Sequence, residues 1–285
     1  MVIHSPRGQW GIPLLVTGLV MLNTGRTAQA IFVTWPANEE VRFVWQEALT
    51  DVAAFLDRTS QVQDVAVGGW TPDSMDAPTM ELTLRREDLA LRFFDPQQSL
   101  LIPATDGSGP TLIARPTILP LDPALRAPLQ RSGAVSETAG SFVYYSIEQV
   151  AEPAPQITSG VVFGDEILFL GYTPSPRCME SESPPDCFVI TYWRILQQPA
   201  GARRLFLHVV DQQGTVLGTA DALGAPSAFW RRGDMLLQKH QIASEHLLDY
   251  EAIRVGIYDP FSGQRILTAG GQEFERLKPQ LNIVE

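Results

Sequence analysis

The sequence predicts an α/β (or α+β) domain followed by an all-β antiparallel sandwich, with one N-terminal transmembrane or signal helix. Three observations predict it. The stretch "GIPLLVTGLVMLNTGRTAQA" has no charged side chain between Arg7 and Arg26. The stretch "WPANEEVRFVWQEALTDVAAFLDRTS" repeats apolar residues at three- and four-residue steps and is followed by the short apolar run "DVAVGGW", a helix feeding a strand. After Ser159 the pattern changes to short strands separated by turns at about ten-residue spacing, with no comparable helix between them.

The N-terminal stretch supports three readings. Residues 8–25 as a helix cover roughly 27 Å, just short of the ~30 Å apolar core of a bilayer, so a transmembrane helix is marginal. A basic start at His4 and Arg7, an apolar run and the small-residue pattern Ala28-Gln29-Ala30 also suit a secretory signal. Either of these would export the rest of the chain. The third reading is a helix buried in a globular core. Arg26 after the segment nearly balances the basic residues before it, so charge sets no orientation.

The helix of the first domain places Val41, Val44, Trp45, Ala48, Leu49, Val52, Phe55 and Leu56 on its apolar stripe, with Glu39, Glu40, Glu47 and Asp51 outward. The early acidic residues suit the positive end of the helix dipole, and Arg58 the other end. "DVAVG" is a buried strand ended by the Gly68-Gly69 turn. Asp76 caps a short helix with Pro78 in its first turn, running to Arg86. Leu89, Leu91 and Phe93 alternate with Ala90, Arg92 and Phe94 in a strand; Asp95-Pro96 turns the chain, and residues 99–102 return it. "TLIARPT" and "SFVYYSI" add strands. "EQVAEPAPQIT", rich in Pro and small residues, offers no face to bury and serves as a linker.

In the second domain the candidate strands are "VVFGDEILFLGYTP", "CFVITYWRIL", "RRLFLHVVDQ", "TVLGTADAL", "DMLLQKHQI" and "AIRVGIYDP". Gln212-Gln213-Gly214 and the turn holding Pro260 and Gly263 supply the preset and permissive backbone angles that hairpins need. The expected boundaries are residues 1–35 for the transmembrane or signal segment and its lead-in, 36–150 for the α/β domain, 151–160 for the linker and 161–285 for the sandwich.

With 285 residues there is room for about two domains, each able to bury a core. A net charge of -11 argues against a general binder of phosphate backbones, so nucleic acid is excluded as a partner. The two cysteines, Cys178 and Cys187, enclose an acidic loop with Pro184-Pro185 between β-type segments; a disulfide at the base of a hairpin is expected, in an oxidising compartment. A metal site would want further ligands at short spacing, whereas His208, His240 and His246 are scattered.

The run "FLHVVDQQGTVLGTADALGAPSAFWRRGD" with "IRVGIYDPFSGQRI" resembles the C-terminal β-sandwich that follows the membrane region of bacterial membrane glycosyltransferases similar to dolichyl-phosphate-mannose protein mannosyltransferases. The positions carrying the resemblance are His208, Asp211, Gly214, Asp221, Trp230, Gly233, Asp234, Tyr258, Asp259, Pro260, Gly263 and Arg265. "PTMELTLRREDLALRFFDPQQSLLIP" looks like the extracytoplasmic α/β segment of the same proteins. The resemblance implies that the apolar stretch is a last membrane helix and that the globular part is extracytoplasmic at the cytoplasmic membrane. It also implies the membrane and a separately encoded multi-helix glycosyltransferase as partners. The catalytic membrane bundle of such transferases has no counterpart in this chain, so no transferase residue carries over.

No catalytic pattern fills that gap. Asp165, Glu166, Asp211, Asp221 and Asp234 have no spacing that opposes a carboxylate pair, and there is no G-x-S-x-G, H-E-x-x-H or Walker loop. No catalytic, metal or cofactor residue is assigned. His208, on a half-buried strand, is either a hydrogen-bonded packing residue or a site member lacking convergent partners. Trp193, Trp230 and Tyr258, with Trp70, are either core aromatics or a flat platform for a glycan. Arg203-Arg204 and Arg231-Arg232 are either solvated strand ends or weak contacts to anionic lipid headgroups. The expected function is an extracytoplasmic accessory or structural tail; the alternatives are an envelope carbohydrate-binding module and a secreted enzyme of unrecognised chemistry.

Overall fold

A computed structural model describes residues 11–104, 109–148, 153–175, 187–247 and 250–277. The chain divides into two units, Met1–Glu47 and Ala48–Glu285.

In the first unit, helix α1 (Gly11–Gln29) continues through a π-helical turn (Ala30–Thr34) into α2 (Trp35–Ala37). Asn38 leaves the helical region and its side chain accepts from the Glu40 backbone N–H at 2.9 Å, capping α3 (Glu39–Val44). Gln46 takes a positive φ of 53°, which stops α3 before α4 (Glu47–Leu56) begins. The single helix expected across this stretch is thus two. Leu49, Val52, Ala53 and Leu56 of α4 are buried as its apolar stripe requires, while Val44 and Trp45 are 67% and 75% exposed.

The transmembrane reading of the first helix also needs correction. Among the described residues no helix is long and apolar enough to cross a membrane. The apolar character is concentrated in residues 12–22 and is diluted by Thr17 within that stretch and by Asn23, Thr24 and Arg26 after it. A run of that length is too short to span. No residue of α1 is buried, so the core-helix reading is not met either.

The second unit contains three sheets. Its elements in chain order are β1 (Asp64–Gly68), α5 (Asp76–Thr83), β2 (Ala90–Phe94), β3 (Ser99–Ile102), β4 (Thr111–Pro116), α6 (Pro123–Arg131), β5 (Val135–Ala139) and β6 (Phe142–Ile147). The series continues with β7 (Ile157–Phe163), β8 (Ile167–Pro174), β9 (Phe188–Ile195), β10 (Arg204–Val210), β11 (Val216–Thr219), β12 (Met235–Gln241), β13 (Ala252–Tyr258) and β14 (Glu275–Leu277).

The first sheet has the order β2-β1-β4-β6-β5, with β1 parallel to β2 and β4 and the remaining pairs antiparallel. Both faces are covered, so its central strands are continuously apolar. Val65, Val67, Phe93, Leu112 and Ala114 pack with Leu49, Val52 and Leu56 of α4 and Met80 of α5. Ala66, Phe94 and Ile113 point the other way, into a larger core with Leu125 and Leu129 of α6. Helix α6 has no counterpart among the expected elements, because Pro128 lies inside it; Asp122 caps it by accepting from the Ala124 N–H at 2.9 Å, and Pro123 fits its first position. Helix α5 ends at Thr83, short of Arg86.

The second sheet has the order β3-β12-β9-β8-β7 and the third β11-β10-β13-β14, every neighbour antiparallel. Strand β3 comes from the segment 36–150 and pairs with β12 from the segment 161–285, so these two stretches share one sheet. The buried residues of the second and third sheets, Trp193, Leu237, Leu207 and Val255 among them, belong to the same core as the α6 face of the first. The stretch "VVFGDEILFLGYTP" folds back on itself through Gly164 and Asp165, both at positive φ, giving β7 and β8. The ladders of β8 shift register near Gly171, whose φ of 136° and close approach to the Ile157 carbonyl leave no room for a Cβ.

Candidate functional site

Alternation on β10 and β13 builds the first half of the site. Leu205, Leu207 and Val209, with Ile253, Val255 and Ile257, face the core, which sends Arg204, Phe206, His208, Arg254, Gly256 and Tyr258 to the opposite face. Asp221, just beyond β11, lies against this face. Its Oδ1 is 3.1 Å from His208 Nε2, and it also meets the Tyr258 hydroxyl. Arg265 stacks over Phe206 at 3.8 Å and lies 5.5 Å from the Tyr258 ring. Partial burial raises the Asp221 carboxyl, but the His208 and Tyr258 hydrogen bonds and the Arg265 charge outweigh it and hold the pKa below the usual range. Burial and the Asp221 charge push Tyr258 up.

Asp221 also lines the second half, a half-open cleft of about 330 Å³. Gln97 and Gln98 from the turn between β2 and β3 form one wall, Lys239 and Gln241 from β12 another, and Ala220 and Ala222 flank Asp221. Lys239 is anchored by Asp122 at 2.7 Å and rests 4.9 Å over the Phe188 ring. Gln98 donates to Asp95 at 2.6 Å, and Gln97 donates to the Pro120 carbonyl. The cleft therefore presents amide groups and one carboxylate edge, with its single ammonium already neutralised. Such a lining matches a neutral polyhydroxylated ligand better than an anion.

The His208–Asp221 pair has the geometry that orients an imidazole, yet the second partner of Asp221 is a tyrosine hydroxyl and no activated serine, threonine or cysteine stands in the cleft lining. Among the described residues no group of three or more His, Cys, Asp or Glu side chains is placed to hold a metal ion.

The positions picked out in the sequence separate into distinct roles. Trp193 and Trp230 are completely buried, their indole N–H groups bonded to the Thr191 hydroxyl and the Ala225 carbonyl. Neither presents a ring to a sugar, so both leave the expected aromatic platform, while Trp70 is 66% exposed and Tyr258 half-buried. Asp234 is also fully buried: it takes two hydrogen bonds from Arg92 and one each from the backbone of Ala104 and Arg231, tying β2 to the turn before β12. Asp211, Gly214, Gly233, Asp259 and Gly263 shape turns. Only His208, Asp221, Tyr258 and Arg265 converge. Cys187 is buried and disulfide-bonded, whereas Cys178 lies outside the described residues. Residues missed in the sequence are Gln97, Gln98, Lys239 and Gln241, which carry no motif because turn and strand bring them together from far apart. Arg92, on an alternating strand, reads as an outward residue, but it is 2% exposed and paired.

The chain matches no known protein family, no curated protein and no solved structure.

Proposed function

We propose that this chain is an extracytoplasmic accessory module of a membrane glycosyltransferase-like system, with no transfer activity of its own. The observation that carries the reading is the pairing of two features: a disulfide-bonded Cys187 within a folded β-rich body, and an N-terminal helix that leaves Ile12, Leu14, Leu15, Leu19 and Leu22 exposed. A buried disulfide fits an oxidising compartment. An exposed apolar run of this kind fits contact with another apolar surface. The second and third sheets share one core, which supports an antiparallel sandwich as their arrangement.

A second reading, an envelope saccharide-binding module, is favoured by the amide-lined cleft beside Asp221. The two are compatible, since an accessory module of a sugar-transferring system meets glycans.

Location and activity are tested separately. Alkaline phosphatase fused after Glu285 is expected to be active in intact cells; an inactive phosphatase with a fluorescent cytosolic reporter at the same site defeats the location. The purified chain is expected to transfer no sugar from polyprenyl-phosphate donors, and measurable transfer makes it an enzyme. Glycan binding that is lost in Gln98→Ala and Gln241→Ala supports the second reading.

A further inference from the structure

The outward face of β10, β13 and β14 gathers cations in a chain whose net charge is -11. His208 stands directly opposite Arg254, and Arg254 directly opposite Arg276, so three basic side chains form one row across three strands. Side chains so placed lie about 5 Å apart, and like charges in that position repel. Arg204 lies on the same face opposite Tyr258, and Arg265 reaches it from beyond β13 to stack on Phe206. Two carboxylates meet this set: Asp221 at His208 and, by its charge, at Arg265, and Glu251 at 3.3 Å from Arg276.

Arg254 and Arg265 have no carboxylate at ion-pair distance among the described residues. Arg254 lies 4.5 Å over the Phe274 ring and donates to the Gly214 carbonyl at 3.3 Å. Gly214 has a φ of 82°, and a Cβ there would stand 2.7 Å from Arg254 Nη2, so the turn is shaped around this guanidinium. Arg265 has a buried Nη1 with no hydrogen-bond partner among the described residues. An unmatched donor is unfavourable and asks for an explanation. Both guanidinium planes are fixed by aromatic rings, so little side-chain freedom remains to be lost when an oxyanion arrives.

We propose that this face is a binding site for a phosphate group, held chiefly by Arg254 and Arg265 with His208 beside them. Several oxygens on one tetrahedral centre answer several guanidinium N–H groups at once, which a single carboxylate does less well. The phosphate belongs either to a free phosphorylated compound or to a lipid headgroup, and the face adjoins the amide-lined cleft at Asp221.

The test uses the full chain. Inorganic phosphate is titrated calorimetrically at constant ionic strength, chloride replacing phosphate in the control. In parallel, the protein is sedimented with vesicles of phosphatidylglycerol or of phosphatidylcholine. Saturable phosphate binding that weakens about tenfold or more in Arg254→Gln and Arg265→Gln, and is unchanged in Arg85→Gln, an exposed arginine outside this face, supports the site and a free ligand. Binding only to phosphatidylglycerol, and dependent on Arg254, supports the site with a headgroup as source. Arg254→Lys keeps the charge and the stem packing and serves as the variant least able to disturb folding; its phosphate affinity is expected to fall between wild type and Arg254→Gln. Absence of any Arg254-dependent binding in both arms, or displacement of phosphate by chloride at equal ionic strength, overturns the proposal.

Discussion

His240 lies on β12 with no exposed surface, in a chain of hydrogen bonds that fixes its proton. Its Nδ1 faces the Ala220 carbonyl at 2.7 Å, and a carbonyl only accepts, so Nδ1 carries the hydrogen. Nε2 then accepts from the Thr191 hydroxyl at 3.0 Å, and that hydroxyl in turn accepts from Trp193 Nε1 at 2.8 Å. Burial pushes the imidazole down from 6.5 to about 4, against the smaller opposing effects of Ala220 and Asp221. A histidine with a depressed folded pKa binds its proton more readily when unfolded, so stability is full above about pH 6.5 and declines as the pH falls toward 4. The decline amounts to about 3 kcal/mol at most. Urea unfolding measured at pH 7, 5.5 and 4 is expected to show it, and His240→Gln is expected to flatten the profile over that window; an unchanged slope in the variant removes His240 as the cause. Trp230 is a second residue whose weight comes from burial. Truncation to Ala is expected to cost about 3 to 5 kcal/mol, and a loss below about 1 kcal/mol in denaturant midpoints contradicts its core role.

At the scale of elements, the regular strands are legible in the sequence because their alternation has one cause, a core on one side. The helical stretch around Trp45 is not, since its three- and four-residue spacing continues through Gln46, whose positive φ apolar periodicity does not encode. Helix α6 is hidden for the opposite reason: Pro128 breaks the expected pattern, although Asp122, Pro123, Leu125 and Leu129 carry the cap and the buried face. The cleft is illegible because its walls come from the β2–β3 turn, β12 and the segment after β11, which nothing local connects. His208, Asp221, Tyr258 and Arg265 can be singled out, but their convergence needs the register of β10 against β13. The cysteine pair, Cys187 just before β9 and Cys178 outside the described residues, bears the next prediction. A Cys178–Cys187 bridge closes a short loop and is expected to contribute about 2 to 3 kcal/mol in the chain-entropy model. Mass spectrometry of the unreduced tryptic peptide is expected to find the two linked in protein made in an oxidising compartment. Free Cys178 in exported protein rejects the pairing.

At the scale of the whole molecule, cooperativity depends on where the sheets cross the sequence. The composition of residues 36–150 and 161–285 suggests two separate folding units, yet β3 pairs with β12 along four residues, from Met235 opposite Ile102 to Gln238 opposite Ser99. Arg92 on β2 and Asp234 before β12 form a buried ion pair at 3.0 Å, and breaking such a pair is strongly unfavourable. Leu100, Leu101 and Ile102 sit in the same core as Trp193 and Leu237. Neither half completes its core without the other. The fragment Ala48–Glu285, which corresponds to the second compact unit, is therefore expected to melt in a single transition with the calorimetric and van't Hoff enthalpies equal. A fragment ending at residue 150 is expected to lose that transition, because Leu100, Leu101 and Ile102 would then face water without β12. Two separable transitions in Ala48–Glu285, or a cooperative melt of the shorter fragment, would show that the shared sheet does not couple the halves.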